Sequence, residues 1–210
     1  MRPTIRPACA GDANFLAWAI LASQRGHVER GWLDIALGLS ETETLVFARR
    51  LTLARTLSWW HSSTFLVADV DGIAAAALCA IPASEAVVRA GKALQEVGVD
   101  MGVDMAAVRQ RGSYVSDCWM DGSQEALLIE HVATHPDHRG RGLAPALLEH
   151  AVAAGKKNGH SKAQITFLIG NNSAESTYLK AGFRFAEEKR GLAFESLTGS
   201  PGFRRYERDI

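Results

Sequence analysis

Apolar residues recur at helical spacing in the N-terminal third of the chain. The first run predicts a helix after Gly11-Asp12, with Asp12 as its N-cap. Its apolar positions are Phe15, Leu16, Trp18, Ala19 and Leu21. A second helix is predicted over 41–60, with Leu45, Ala48, Leu51 and Arg55 at helical spacing.

The pattern then changes to that of strands. Apolar stretches over 65–70 and 73–81 flank Asp71-Gly72, a dipeptide typical of tight β-hairpins. The alanine run in the second stretch is also compatible with a helix. The Asp-Gly turn and the closing Pro82 favour a strand.

The segment 84–124 fits neither pattern well. It contains a predicted short helix over 85–97, a tandem repeat (Gly98-Val-Asp-Met, then Gly102-Val-Asp-Met), further helix-like sequence and a Gly112-Ser113 turn. Two repeat units are too few for a solenoid. We interpret this segment as a decoration on the core that contributes to a substrate-binding wall.

From Glu125 onward, strands and helices alternate. The predicted elements are a strand over 126–133, a helix over 143–158, a strand over 163–169, a helix over 173–181 that ends at Gly182, and strands over 183–188 and 203–210. This order predicts a single domain of mixed α/β type, with one central sheet.

Composition narrows the function classes. Lysine plus arginine equals aspartate plus glutamate at 23 each, so overall charge favours neither nucleic acid nor a membrane as partner. Cys9, Cys79 and Cys118 lack metal-ligand spacing, which predicts free thiols and no metal site. No apolar stretch approaches the roughly 20 residues of a membrane span, and no secretory signal is evident, so we expect a cytoplasmic protein.

The loop Arg139-Gly-Arg-Gly-Leu-Ala144 lies between a predicted strand and a predicted helix. Glycines let the backbone approach a ligand, and the first amides of a helix have no partner within it. With two nearby arginines, the loop is a candidate phosphate site. A glycine-rich turn with two solvated arginines is the alternative. Neither a P-loop nor a dinucleotide fingerprint is present.

Two motifs together resemble the GNAT superfamily of N-acetyltransferases. The coenzyme A motif Arg/Gln-x-x-Gly-x-Gly/Ala is matched by Arg139, Gly142 and Ala144. A second motif is similar to Asn171, Ala174, Tyr178, Gly182 and Phe183. The resemblance is firm over 126–185, loose at the hairpin and absent over 84–124.

The resemblance implies a single acetyltransferase domain over 1–210, with a mixed sheet, helices on both faces and an acetyl-CoA-binding core at about 126–185. It also implies direct acetyl transfer from acetyl-CoA to an amine, without a covalent enzyme intermediate. The backbone that would bind acetyl-CoA is that of Val132, Ala133, Thr134, Gly140, Gly142, Leu143 and Ala144, with Arg139, Arg141 and Asn171. Pro145 removes one amide donor from this site.

The same resemblance suggests catalytic residues. It implies that Tyr178 is the general acid that protonates the thiolate of coenzyme A. Glu130 is the leading general base, and strand alternation would put His131 on the opposite face of the sheet. Each residue also has a structural interpretation: Tyr178 as a core side chain, Glu130 as a hydrogen-bonding carboxylate, and Asn171 as a helix cap.

Two other functions remain open: a coenzyme A-binding regulatory module without turnover, and an unrelated phosphate-binding protein. The acceptor is expected to be a small-molecule amine rather than a protein. The Trp59-Trp60-His61 cluster is a candidate for its pocket, and the alternative is that the two tryptophans are core and surface anchors of a helix end. By resemblance, a homodimer is possible.

Overall fold

A computed structural model describes residues 3–210. Its strands are β1 (Thr4–Pro7), β2 (Phe65–Val70), β3 (Ile73–Pro82), β4 (Leu127–Thr134), β5 (Lys162–Leu168), β6 (Arg184–Arg190) and β7 (Gly202–Asp209). They form one sheet in the order β1-β2-β3-β4-β5-β7-β6. Among the strands of residues 3–210, only the pairing of β4 with β5 is parallel, so the sheet is mixed as predicted.

Helices cover both faces of this sheet. They are α1 (Ala13–Arg25), α2 (Trp32–Leu37), α3 (Glu41–Thr52), α4 (Ala83–Asp100), α5 (Met105–Gly112), α6 (Leu143–Lys157), α7 (Asn172–Lys180) and α8 (Leu192–Thr198). One core includes Leu16 of α1, Phe47 of α3 and Leu94 of α4. The core on the other face includes Leu147 of α6 and Tyr178 of α7. None of the helices described within residues 3–210 is long and apolar enough to span a membrane.

The hairpin predicted from Asp71-Gly72 is present. Both turn residues have positive φ, 56° at Asp71 and 83° at Gly72, as a two-residue type I′ turn requires. The alanine run therefore lies in β3, where Ala75, Ala76 and Ala77 are fully buried. Small side chains at these positions let helices approach both faces of the sheet closely.

The predicted helix over 41–60 was too long, because α3 ends at Thr52. The carboxylate of Glu96 accepts the backbone amides of Arg55 at 2.8 Å and of Thr56 at 3.1 Å. These amides are consequently held by α4 and cannot continue a helical hydrogen-bond ladder.

Asp12 is the N-cap residue of α1, as predicted, but its side chain accepts no hydrogen bond from the helix. Its carboxylate accepts the amide of Cys9 at 2.9 Å and pairs with the Arg6 guanidinium at 2.8 Å. Three elements were not predicted at all: β1, α2 and α8. They have four, six and seven residues, too few to display a periodic apolar pattern.

A β-bulge interrupts the pairing of β3 with β4. Ala77 pairs with Ala133 and Cys79 pairs with Glu130, so His131 and Val132 together face the single residue Leu78. His131 has a φ of 54°, which is unusual for a residue other than glycine. A bulge of this kind bends the strand that carries the extra residue.

On its other side, β4 pairs with β5 only from Leu127 to Ile129. Strand β5 continues to Leu168 along β7, whereas β4 continues along β3. The two strands therefore diverge beyond Ile129, and an opening forms between them in the middle of the sheet.

A substitution at Gly202, at the start of β7, tests how closely the backbones of β6 and β7 approach. Its φ is 152°, and an added Cβ would lie 2.1 Å from the Lys189 carbonyl oxygen. We expect Gly202→Ala to lower the free energy of unfolding by about 2–4 kcal/mol, measured by urea denaturation.

Gly91→Ala is the control for this prediction. Gly91 lies in α4, and its added Cβ would meet no atom within 4 Å. This variant should be about 0.5–1 kcal/mol more stable than the parent chain, because alanine is the better helix former. Equal stability of the two variants would contradict the predicted clash.

Candidate active site

A cavity of about 1000 Å³ opens where β4 and β5 diverge. It is lined from one face by the end of α1, the first turns of α4 and the segment 112–124. From the other face it is lined by the start of α6 and by α7. The segment 84–124 thus contributes to the wall of this cavity.

Most of the predicted site residues line this one cavity. They are Tyr178, Glu130, Val132, Ala133, Thr134, Arg139, Gly140, Gly142, Leu143, Ala144 and Asn171. Arg141 is the exception: its side chain is exposed, and its guanidinium donates to the Asp137 carbonyl at 3.3 Å. Trp59 and Trp60 also line the cavity, whereas His61 does not.

The loop that begins at Arg139 enters α6 through two left-handed glycines. Gly140 has a φ of 76°, and Gly142, the N-cap of α6, has a φ of 73°. Neither glycine's added Cβ would meet an atom within 4 Å, so the backbone is open to a ligand. Within residues 3–210, the amides of 140–144 donate to no protein acceptor.

These amides lie at the N-terminus of α6, which is the positive end of its dipole, and Arg139 adds a cation beside them. Pro145 occupies the third position of α6, where its ring suits the helix but offers no donor. The loop therefore provides the donors and positive potential that bind a phosphate or pyrophosphate group.

Strand β4 has a free edge along the cavity. Ala133 and Thr134 pair with Ala77 and Ala76 of β3, and none of the residues from Glu130 to Thr134 pairs with β5. The backbone groups of β4 that point toward β5 are thus free to bind an extended ligand in the opening.

The bulge places Glu130 and His131 on the same face of the sheet. Glu130 pairs across β3 with Cys79, which belongs to the α1–α3–α4 core. His131 contacts Ser23 of α1 and stacks on Phe65 of that same core. The expectation that His131 lies on the opposite face was wrong, because the extra residue in β4 breaks the alternation on which it depended.

Glu130 lies in the cavity wall and is partly exposed to the cavity. Burial raises the pKa of its carboxyl group to about 8, and no cation pairs with it within residues 3–210. The side chain is therefore mostly protonated at neutral pH and becomes a proton acceptor as the pH rises.

His131 is held neutral. Burial lowers the pKa of its imidazole to about 3. The Ser23 hydroxyl lies 2.8 Å from the Ile20 carbonyl, to which it donates, and 3.1 Å from His131 Nδ1. Because the Ser23 hydroxyl uses its proton in the bond to the Ile20 carbonyl, its oxygen accepts the Nδ1–H of His131. A neutral imidazole has only one ring N–H, so Nε2 carries no proton. Nε2 is buried and has no partner within residues 3–210.

Tyr178 points from α7 into the cavity wall. Its ring packs against Phe167 and Phe183, and its hydroxyl makes no hydrogen bond within residues 3–210. Burial raises the pKa of the phenol above its usual range, and a negative charge on Glu130 would raise it further. Tyr178 therefore keeps its proton throughout the physiological pH range.

Asn171 has the capping role that was one of its two interpretations. Its Oδ1 accepts the Ala174 amide at 3.2 Å, as an N-cap of α7 does. The residue also lines the cavity, so capping holds it at the wall where a ligand would pass.

Several cavity residues were not identified from the sequence. Ser23, Tyr114, Thr166 and Phe194 lie far apart along the chain and belong to no motif. Only the packing of α1, the 113–118 turn and α8 around β5 brings them together.

Comparison with known families identifies this architecture. Residues 61–185 match the model of the acetyltransferase (GNAT) domain, which covers more than half of the chain. The chain belongs to the GNAT family. As a GNAT protein it is an acyltransferase, which confirms the resemblance given by its two motifs.

Solved structures share the GNAT fold with this chain. One acetyltransferase aligns with a TM-score of 0.70 at 16% identity, over 99% of each chain. An N-acetyltransferase from Staphylococcus aureus Mu50 aligns with a TM-score of 0.69 at 18% identity, over 97% of this chain and 99% of the other. The PaiA N-acetyltransferase from Thermoplasma acidophilum, solved with coenzyme A, aligns with a TM-score of 0.54 at 12% identity, over 100% of each chain. No curated protein sequence matches the chain.

The raised pKa of Glu130 predicts a pH-dependent effect of Glu130→Gln. An unfolded glutamate has a pKa of about 4.3, against about 8 in the folded chain. The stability linked to the bound proton is therefore complete below about pH 4 and is lost as the pH rises to 8. Glutamine has no such loss. The melting temperature of the variant minus that of the parent should therefore be larger at pH 8 than at pH 5.

Glu29→Gln, at an exposed glutamate, is the control. Its melting temperature should follow that of the parent at every pH. Parallel curves for the parent chain and Glu130→Gln would show that the carboxyl group is not desolvated.

Proposed function

We propose that this GNAT protein transfers an acetyl group from acetyl-CoA to a primary amine by direct attack in a ternary complex. The observation that carries the proposal is the placement of the free amides of 140–144 at one end of the cavity that also holds Glu130 and Tyr178. An anion site, a proton acceptor and a proton donor thus share one space.

The loop and β4 suit coenzyme A in different ways. The amides of 140–144, together with Arg139, would bind the pyrophosphate at the start of α6. The free edge of β4 from Val132 to Thr134 would pair with the amide-containing pantetheine arm. A backbone N–H on this edge would also stabilise negative charge on the thioester oxygen during attack. The coenzyme A complex of the Thermoplasma acidophilum N-acetyltransferase supports this choice of ligand.

Glu130 suits the role of general base better than His131 does. With a pKa of about 8, its carboxylate is the minor form at neutral pH and becomes the major form above pH 8, and it is basic enough to accept a proton from an attacking amine. With a pKa of about 3, the imidazole of His131 is a weak acceptor. Its contact with Ser23 instead fixes the bulge that orients Glu130.

Tyr178 has the properties of the general acid. Its phenol is protonated, unpartnered and close enough to Glu130 for the carboxylate charge to affect its pKa. Proton donation to the departing thiolate would balance the proton that Glu130 removes from the amine.

The surrounding structure favours a small acceptor. Residues of α1, α4 and the segment 112–124 line the cavity that holds Glu130, and we expect this wall to restrict access for a folded protein surface. We propose a cytoplasmic enzyme of one acetyltransferase domain over 1–210, with 126–185 as its acetyl-CoA-binding core.

Ala144→Asp tests the pyrophosphate site. Ala144 is the second residue of α6, so a carboxylate there suits the helix dipole but repels a phosphate. The Kd for acetyl-CoA, measured by isothermal titration calorimetry, should rise at least about tenfold, while the melting temperature stays the same or rises.

Ala154→Asp is the matched control, because Ala154 is exposed near the other end of the same helix. Its Kd for acetyl-CoA should equal that of the parent. Equal affinity of Ala144→Asp and the parent would rule out phosphate binding at this loop and with it the proposed function.

Tyr178→Phe separates catalysis from binding. Loss of the proton donor should lower kcat by about 10²-fold in a thiol-release assay with acetyl-CoA and a primary amine. The Kd for acetyl-CoA should stay within about twofold of the parent value, since the phenyl ring keeps its packing. An unchanged kcat would remove Tyr178 from the mechanism. Acetyl-CoA binding without thiol release for any amine would favour the regulatory module instead.

A further inference from the structure

Aromatic side chains are concentrated around the part of the cavity that faces α1, α4 and the 112–124 segment. Four of the five tryptophans in the chain line it: Trp32, Trp59, Trp60 and Trp119. Tyr114, Phe194 and Phe203 line it as well. A hydrophobic core alone does not require this arrangement, since Trp119 is 41% exposed.

These aromatic residues form two groups on opposite sides of the opening between β4 and β5. On the β4 side, the Trp59 ring lies 5.5 Å from Trp60 and 6.5 Å from His131. On the β5 side, Phe194 lies 5.5 Å from Tyr114 and 4.7 Å from Phe203. Glu130 and both aromatic groups line the same cavity, so a molecule bound there beside Glu130 has aromatic surface within the same space.

Helix α4 leaves room for a broad group beside them. Its cavity-facing positions include Ala86, Ala90 and Gly91, all small residues. A Cβ added at Gly91 would meet no atom within 4 Å, so this part of the wall borders open space. Val87, on the same helix, adds an apolar side chain that is 55% exposed.

The charges that line the cavity oppose a second cation on the acceptor. The charged lining residues are Arg30, Arg109, Asp121, Glu130, Arg139, Lys180 and Arg205. Only Asp121 and Glu130 are acidic, and Glu130 is mostly protonated at neutral pH. Arg205 is paired with Glu187 and Glu207. Neither Arg30 nor Arg109 forms an ion pair within residues 3–210, so a polyamine would still meet more positive than negative charge.

We infer that the acceptor is a primary amine with one positive charge and an aromatic body. The ring would contact the faces and edges of the two aromatic groups, and the amine would reach Glu130. This inference rests on the proposed function, because it assumes that the acceptor amine is acetylated in this cavity.

Matched amines test the inference on the parent chain. With saturating acetyl-CoA, kcat/KM for 2-phenylethylamine and tryptamine should exceed that for agmatine and spermidine by at least about tenfold. A ratio of one or less would overturn the inference, while turnover of agmatine or spermidine would leave the proposed acetyl transfer intact. Thiol release with none of the four amines, although acetyl-CoA binds, would overturn both.

Two adjacent valines provide the matched variants. Val87 and Val88 of α4 are 55% and 62% exposed, but only Val87 lines the cavity. Val87→Asp should lower kcat/KM for 2-phenylethylamine by about tenfold and raise it for agmatine, because a carboxylate opposes an apolar ring and attracts a second cation.

Val88→Asp should leave both values within about twofold of the parent. Titration with acetyl-CoA verifies that each variant is folded and keeps its coenzyme site. Equal effects of the two substitutions on 2-phenylethylamine would show that the aromatic ring does not bind beside α4 and would overturn the inference.

Discussion

The divergence of β4 from β5 is the constraint on which the rest of the site depends. The strands pair only as far as Ile129 and Ile165, and the bulge at His131 then bends β4 away. Continued pairing would hold the strands about 4.8 Å apart and fill the opening with hydrogen bonds. The positive φ at His131 carries a cost on the order of 1–3 kcal/mol. Packing of the imidazole on Phe65 and its bond to Ser23 help to offset that cost.

The two ends of the cavity differ in their electrostatics, and the difference suits two chemically different ligands. At the start of α6, free amides and Arg139 create a positive region that favours an anion. Beside Glu130, desolvation keeps the carboxyl group mostly protonated at neutral pH. As the pH rises and this proton is lost, the carboxylate can accept the proton that an attacking amine must lose, and Tyr178 keeps its own proton nearby. The proposed mechanism uses only these local differences in solvation and charge.

Local features were predicted well because their cause lies within a few residues. Asp71-Gly72 favours a type I′ turn wherever strands flank it, and the glycines at 140 and 142 adopt a backbone that other residues rarely accept. The helix predicted over 41–60 failed for the opposite reason. The carboxylate of Glu96, in α4, accepts hydrogen bonds from the amides of Arg55 and Thr56. Glu96 lies outside 41–60, so the residue pattern of that segment could not predict this contact. Strand alternation failed at His131 in the same way, because a bulge exists only relative to the partner strand.

The sequence by itself determined the family, the position of the candidate phosphate loop and the two motifs that carry Asn171 and Tyr178. Each of these depends on a short run of residues with its own conformational preferences. Only the tertiary structure decided that Glu130 and His131 share a face, and that Tyr114 and Trp119 stand at the same cavity. These side chains are brought together by burial of apolar surface between elements distant in sequence. Many sequences satisfy that requirement, so the pattern along this one chain does not reveal which residues meet.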